Sequence, residues 1–206
     1  MSEIMDGAWS AKKFIVNYLA EDIPNRMIAY RNRWNLDDVR LPTPSKFLGF
    51  EPPALDEWPC IYTLQAAARD FERADFNADM EVIYSVTYTM RTYVWARDVG
   101  LPEGPSSAEQ VTEIRDRLTT VVRAALLDHP SMQKAASIYF PELDVDILMD
   151  ETSLREEYSD VTYAKGDRAI AGAYLAYDFR CYERIQRRTI GTASSYEIST
   201  VPLEWD

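Results

Sequence analysis

Met80-Glu-Val-Ile-Tyr-Ser-Val-Thr-Tyr-Thr-Met-Arg-Thr-Tyr-Val-Trp-Ala-Arg97 decides the fold. Side chains of a strand alternate between faces. On one face lie Val82, Tyr84, Val86, Tyr88, Met90, Val94 and Ala96, interrupted only by Thr92. The other carries Ile83, Ser85, Thr87, Thr89, Arg91, Tyr93, Trp95 and Arg97. Most of these residues are β-branched or aromatic, the types suited to a pleated, half-buried surface. A strand of this length would extend ~50 Å at ~3.3 Å per residue, roughly three times the usual length. It must be the spine of a sheet, and part of it is placed to reach beyond its own subunit.

The rest of the chain supplies layers for that sheet. Residues 9–19 read as an amphipathic helix with Trp9, Phe14, Ile15, Tyr18 and Leu19 on one side. Asp22 offers an N-cap and Pro24 a first-turn residue for a second helix over 23–34. That segment holds Asn25, Arg26, Arg31 and Arg33, either a solvated face or a contact for an acidic neighbour. Residues 36–59 contain Pro42, Pro44, Pro52, Pro53 and Pro59, so no long regular element fits there. Phe47, Leu48, Phe50, Leu55 and Trp58 nevertheless make it an ordered loop rather than a linker.

Residues 60–68 read as a strand antiparallel to the spine, joined to it by an exposed, charged connection over 70–79. The breaker run over 98–105 ends the spine. Ser106 with Glu109, and Ser107 with Gln110, then match a capping box. Val111, Ile114, Leu118, Val121, Val122, Ala125 and Leu126 follow as one apolar helical stripe, stopped by Asp128-His-Pro130. Strands are expected over 143–150 and 156–164, with a turn at Lys165-Gly-Asp167. A second long strand spans 170–186. The expected fold is α+β: a mixed or antiparallel sheet with long strands, one amphipathic helix packed across it, and N-terminal helices. Residues 1–188 form one domain in this reading, and 189–206 a C-terminal arm.

The chain has 206 residues, 47% of them hydrophobic, and a formal net charge of -12 from 34 acidic and 22 basic residues. That balance argues against gripping phosphates or anionic lipid, and suits a surface that a polyanion passes without sticking. The two cysteines, Cys60 and Cys181, are far apart and outside any CxxC, which suggests reduced thiols. The first residues lack a secretory layout, and no apolar run approaches the ~20 residues that span a bilayer.

Catalytic chemistry finds little material. The single histidine, His129, sits before Pro130 at a helix end and suits capping or exposure better than a triad. No Walker A or GxGxxG motif occurs, and no cofactor is expected. Asp144, Asp146 and Asp150 share a strand face and are weak candidates for a hard cation, against a plain solvated face. Glu156-Glu157 near Asp150-Glu151 are weaker candidates for a paired-acid site. The aromatics say more. Arg91, Tyr93, Trp95, Tyr174 and Tyr182 lie opposite the apolar faces of the long strands. Tyr, Trp and Arg are the residues enriched at interface hot spots. They point to a subunit interface or to cover by the Pro-rich loop.

The order and texture of these elements resemble the tail terminator (tail completion) proteins of long-tailed bacteriophages. The likeness rests on an N-terminal helix leading to Arg31-Asn-Arg-Trp34, the loop from Leu41-Pro-Thr-Pro44, and Trp58-Pro-Cys-Ile-Tyr62 entering the sheet. It continues in the long strand Tyr88–Arg97 and in the helix ending Val121-Val-Arg-Ala-Ala-Leu-Leu-Asp128. The resemblance implies a non-enzymatic virion protein of the tail–neck region. In that family, six copies form a ring that caps the tail tube, stops its polymerisation and meets the head-side connector, with DNA passing through the lumen. Expected partners are therefore further copies of the chain, the tail tube protein and the connector, and no membrane. The rivals are a twelve-fold head-completion or head–tail joining protein, a small metal-dependent enzyme centred on the three aspartates, and a module whose aromatic face takes a peptide strand.

Overall fold

The computed structural model describes residues 7–52, 57–76, 81–100, 106–139, 148–163 and 168–186. The elements run α1 (Ala8–Trp34), β1 (Lys46–Leu48), β2 (Cys60–Phe76), β3 (Glu81–Arg97), α2 (Ser107–Leu126), α3 (His129–Tyr139), β4 (Leu148–Tyr158), β5 (Thr162–Tyr163) and β6 (Ala169–Gln186). The expected spine is β3. It pairs antiparallel with β2 on one side and β6 on the other. The sheet order is β1-β2-β3-β6-β4, with β5 also on β6 and only β1–β2 parallel. The fold is α+β, a mixed and mainly antiparallel sheet with helices on one face, as the pattern of the strands predicts.

Strand parity sets which face is covered. Val82, Val86, Tyr88, Met90, Val94 and Ala96 of β3 are buried, as are Ala171, Ala173, Leu175, Tyr177, Phe179 and Cys181 of β6. Against them α2 lays Val111, Ile114, Leu118, Val121, Val122, Ala125 and Leu126, all buried. Each large side chain removed from water contributes about 1.5–3 kcal/mol. The Ser106 hydroxyl caps α2 by accepting from the Glu109 N–H at 3.3 Å. Thr92, the polar break in the apolar face, is fully buried and central to a hydroxyl chain. Its Oγ1 lies 2.9 Å from Thr63 Oγ1 and 3.0 Å from the Tyr177 hydroxyl.

The N-terminal segment is one helix, where the sequence suggests two. Phe14, Ile15, Tyr18, Leu19, Ile23 and Met27 form a buried stripe that runs through Pro24. This burial outweighs the lost N–H of the proline. Asp22 does not cap a second helix; it takes Arg26, at 2.6 and 3.1 Å. The same guanidinium reaches Asp128 at 2.8 Å, tying α1 to the α2–α3 corner. Trp9, expected on the inner side, is 62% exposed.

Other boundaries also moved. β2 continues to Phe76 because three register shifts, between Gln65/Ala67, Arg69/Glu72 and Arg73/Asp75, absorb the residues that spoil its alternation. Asp128-His-Pro130 ends α2 and also starts α3, with Ser131 N–H and hydroxyl both donating to the Asp128 carboxylate. Proline is tolerated in that first turn. The two strands expected over 143–150 and 156–164 meet as β4, which bulges between Asp150 and Arg155, with β5 following. The Lys165–Asp167 turn and the C-terminal arm lie outside the described residues. The Pro-rich loop holds only the short β1 among its described residues and buries Leu41, whose carbonyl accepts from Arg31 at 2.9 and 2.6 Å. Among the described residues no helix is long and apolar enough to cross a membrane.

Two outcomes follow from these contacts. Thr92→Val strands two buried hydroxyls and should cost about 1–3 kcal/mol in equilibrium denaturant unfolding. Arg26→Ala should cost about 1.5–3 kcal/mol at neutral pH. Its hydrogen bond holds the Asp128 carboxyl below the ordinary 3.8. That contribution is complete above the ordinary value and is lost as pH falls through the depressed one. Unfolding measured from about pH 6 down to about pH 2 should therefore show less acid loss in Arg26→Ala than in the wild type.

Candidate functional site

The face of the sheet opposite the helices carries an aromatic zone built by register. One row runs Tyr62 (β2), Tyr93 (β3), Tyr174 (β6) and Glu157 (β4), each directly opposite the next. The Tyr62 and Tyr93 rings stack at 4.7 Å and 16°, and Tyr93 meets Tyr174 at 5.3 Å and 40°. Such cross-strand aromatic pairs each add roughly 0.2–1 kcal/mol. The Tyr174 hydroxyl bonds Glu157, which raises it above the ordinary phenol value. Burial, above other causes, raises Tyr62.

The neighbouring row sets Trp95 opposite Gly172. The indole lies flat on the glycine, since a Cβ there would meet three of its ring carbons at 2.9 Å. Its Nε1 donates to the Tyr62 hydroxyl at 3.3 Å. Ser159, just past β4, closes this corner by binding Gly172 through both its backbone N–H and its hydroxyl. Between these groups and Tyr158 is a depression of about 260 Å³. Arginines stand over nearby rings, Arg91 5.6 Å from Tyr174 and Arg97 5.6 Å from Trp58.

Farther along, the same face changes character. Asp178 takes Arg69 and the Thr89 hydroxyl, and Arg180 reaches Ser85 at 2.7 Å and Glu72 at 3.2 Å. Tyr182 belongs to this polar zone, opposite Ser85. It stands eight residues from Tyr174 along β6, ~26 Å at ~3.3 Å per residue. Of the five aromatic-face candidates, the structure thus brings together Arg91, Tyr93, Trp95 and Tyr174, and sets Tyr182 apart. The described residues of the Pro-rich loop cover the β2 flank, bringing Trp58 beside Arg97 and Glu51 near Tyr62. Tyr62 is 5% exposed, whereas Tyr93, Trp95 and Tyr174 are half-buried.

Among the described residues the acidic candidates do not converge. Asp144 and Asp146 lie outside the described residues. Asp150 is exposed and turns one carboxylate oxygen to the Thr152 N–H at 2.9 Å and hydroxyl at 2.6 Å. These bonds hold its carboxyl below the ordinary range. Glu156 and Glu157 are consecutive on a strand and face opposite ways: Glu156 meets Arg123 of α2 at 3.0 Å, while Glu157 meets Tyr174. No paired-acid site forms there. Among the described residues no group of three or more His, Cys, Asp or Glu could hold a metal. His129 begins α3, its Nε2 3.3 Å from Glu151 Oε1 but without a hydrogen-bond partner among the described residues. Cys60 and Cys181 are both buried, and burial pushes the Cys181 thiol up to about 12.

Sequence reasoning missed Tyr62 and Gly172, and offered Glu157 only as part of a paired-acid site. The signal for Tyr62 and Gly172 was present in the alternation of β2 and β6, but it required the register between strands. No family model matches the chain, and no curated protein matches it either.

Gly172→Ala should push the indole off the sheet and cost about 1–3 kcal/mol of stability. In a Trp95→Ala background the same change should cost under about 1 kcal/mol, a coupling that a double-mutant cycle reads directly.

Proposed function

We propose that the chain is a ring-forming structural subunit, a bacteriophage tail terminator that caps the tail tube and joins it to the head connector. The observation that carries this reading is a sheet with one bare, aromatic-bearing face and two open sides. β2 pairs with β1 only over Cys60–Tyr62, so Leu64–Phe76 has no outer strand neighbour among the described residues. Among the described residues β4 ends the sheet on the opposite side. Unlike edges on opposite sides suit head-to-tail contacts, and such heterologous contacts generate rings when the rotation closes. Backbone pairing across an exposed edge gives affinity, and buried Trp and Tyr give anchoring.

The family resemblance supports six copies and a place at the neck of the virion. The -12 net charge suits a lumen through which DNA passes without being held. Bulges along β2 and the exposed Arg69, Asp70 and Glu72 would discourage indiscriminate pairing of that edge before the correct partner arrives.

The test is the mass of the full chain in solution, at high concentration and with tail tube present. A six-subunit species is expected. Twelve subunits would move the protein to the head side of the neck, and a monomer under every condition would contradict the ring. Trp95→Ala should weaken assembly by about 2 kcal/mol or more per interface, seen as a shift of the assembly midpoint to higher concentration.

A further inference from the structure

The depression on the bare face has a chemistry that ring formation does not require. Tyr93, Trp95 and Tyr174 supply three aromatic rings to it, and Glu157 a carboxylate. No lysine or arginine among the described residues lines it. The Ser159 hydroxyl is already engaged with the Gly172 backbone, accepting from its N–H at 2.9 Å. Glu157 is exposed, and the Tyr174 hydroxyl takes only part of the acceptor capacity of a carboxylate.

Aromatic faces carry negative potential and attract cations, most strongly where water is partly excluded. The fold already uses this affinity: Arg91 stands 5.6 Å from Tyr174, and on the helical face Arg115 of α2 stands 5.0 Å from Tyr158. Neither arginine lines the depression. An anion would meet Glu157 and the rings with no counter-charge. A neutral apolar group would cover the rings and leave the carboxylate unpaired, at a cost. A cation with a flat face satisfies both. Guanidinium fits better than ammonium, since it stacks on rings while donating two parallel N–H bonds to a carboxylate. The -12 charge of the chain adds a long-range attraction for a basic partner.

We propose that this depression receives an arginine side chain from a basic segment of a partner protein, the guanidinium stacked among the rings and donating to Glu157. Gly172 is part of the device, because its missing Cβ lets Trp95 lie flat beside the site. The proposal concerns the dilute, unassembled chain, because the ring contact proposed above would cover the same rings.

Nα-acetyl-argininamide titrated into the full chain tests it, with Trp95 emission taken as the difference between wild type and Trp95→Phe. The neutral isostere Nα-acetyl-citrullinamide is the control. A saturable change is expected with the arginine probe, with the citrulline probe at least about tenfold weaker, a difference of about 1.4 kcal/mol. Glu157→Gln keeps the shape of the site and an acceptor for Tyr174, and should weaken the arginine probe about five- to tenfold while its unfolding midpoint stays near that of the wild type. Equal response to the two probes, an unchanged affinity in Glu157→Gln, or no saturable response from wild type would each overturn the proposal.

Discussion

The uninterrupted pairing of β3 with β6 governs this structure. From Glu81↔Gln186 to Arg97↔Ile170 every residue of one strand faces one of the other, with no bulge to reset the alternation. Parity therefore holds along the whole ladder: what faces the helices at one end does so at the other. A shift of β3 by one residue would send Val94 outward and Trp95 inward. The pairing also makes the outer surface. Tyr93 meets Tyr174, and Trp95 meets Gly172, only in this register.

The helical layer reinforces the ladder from one side. α2 covers β3 and β6 with a single apolar stripe, and α1 crosses toward β1 and β2. The Tyr18 hydroxyl donating to the Ala125 carbonyl at 2.8 Å and the Arg26–Asp128 pair hold the two helices together. On the other side little among the described residues covers the sheet, and its side chains satisfy one another. Aromatic rings stack at one end, while Arg69, Asp178, Arg180 and Glu72 pair along the rest. Exposed ion pairs of this kind contribute little to stability. The aromatic end is where apolar surface remains for a partner to bury.

The spine, its partner β6 and the capped helix α2 were legible in the sequence because each carries an unbroken period: two residues for the strands, three to four for the helix. Elements whose local signals were overridden were not. Pro24 reads as a boundary, yet Ile23 and Met27 continue the buried stripe through it. Asp70, Phe71 and Glu72 read as a connection because bulges in β2 spoil the alternation, and Asp70 itself takes a left-handed φ of 53°. Asp128-His-Pro130 reads as a stop, and the same carboxylate also caps α3. The candidate site was half legible. Parity placed Arg91, Tyr93, Trp95 and Tyr174 on one face, but it could not separate Tyr182, which differs from Tyr174 in position along the strand and not in face. Gly172 was silent, because its meaning lies in the indole opposite it.

The account makes this bare-faced, open-edged sheet the surface through which copies of the chain join. Amide hydrogen exchange, compared between dilute protein and protein concentrated or bound to tail tube, tests that claim most directly. The account predicts added protection along Leu64–Phe76 of β2 and around Tyr93, Trp95 and Tyr174, with α2 unchanged. Added protection on the helical face alone, or none anywhere in an assembled sample, would contradict it.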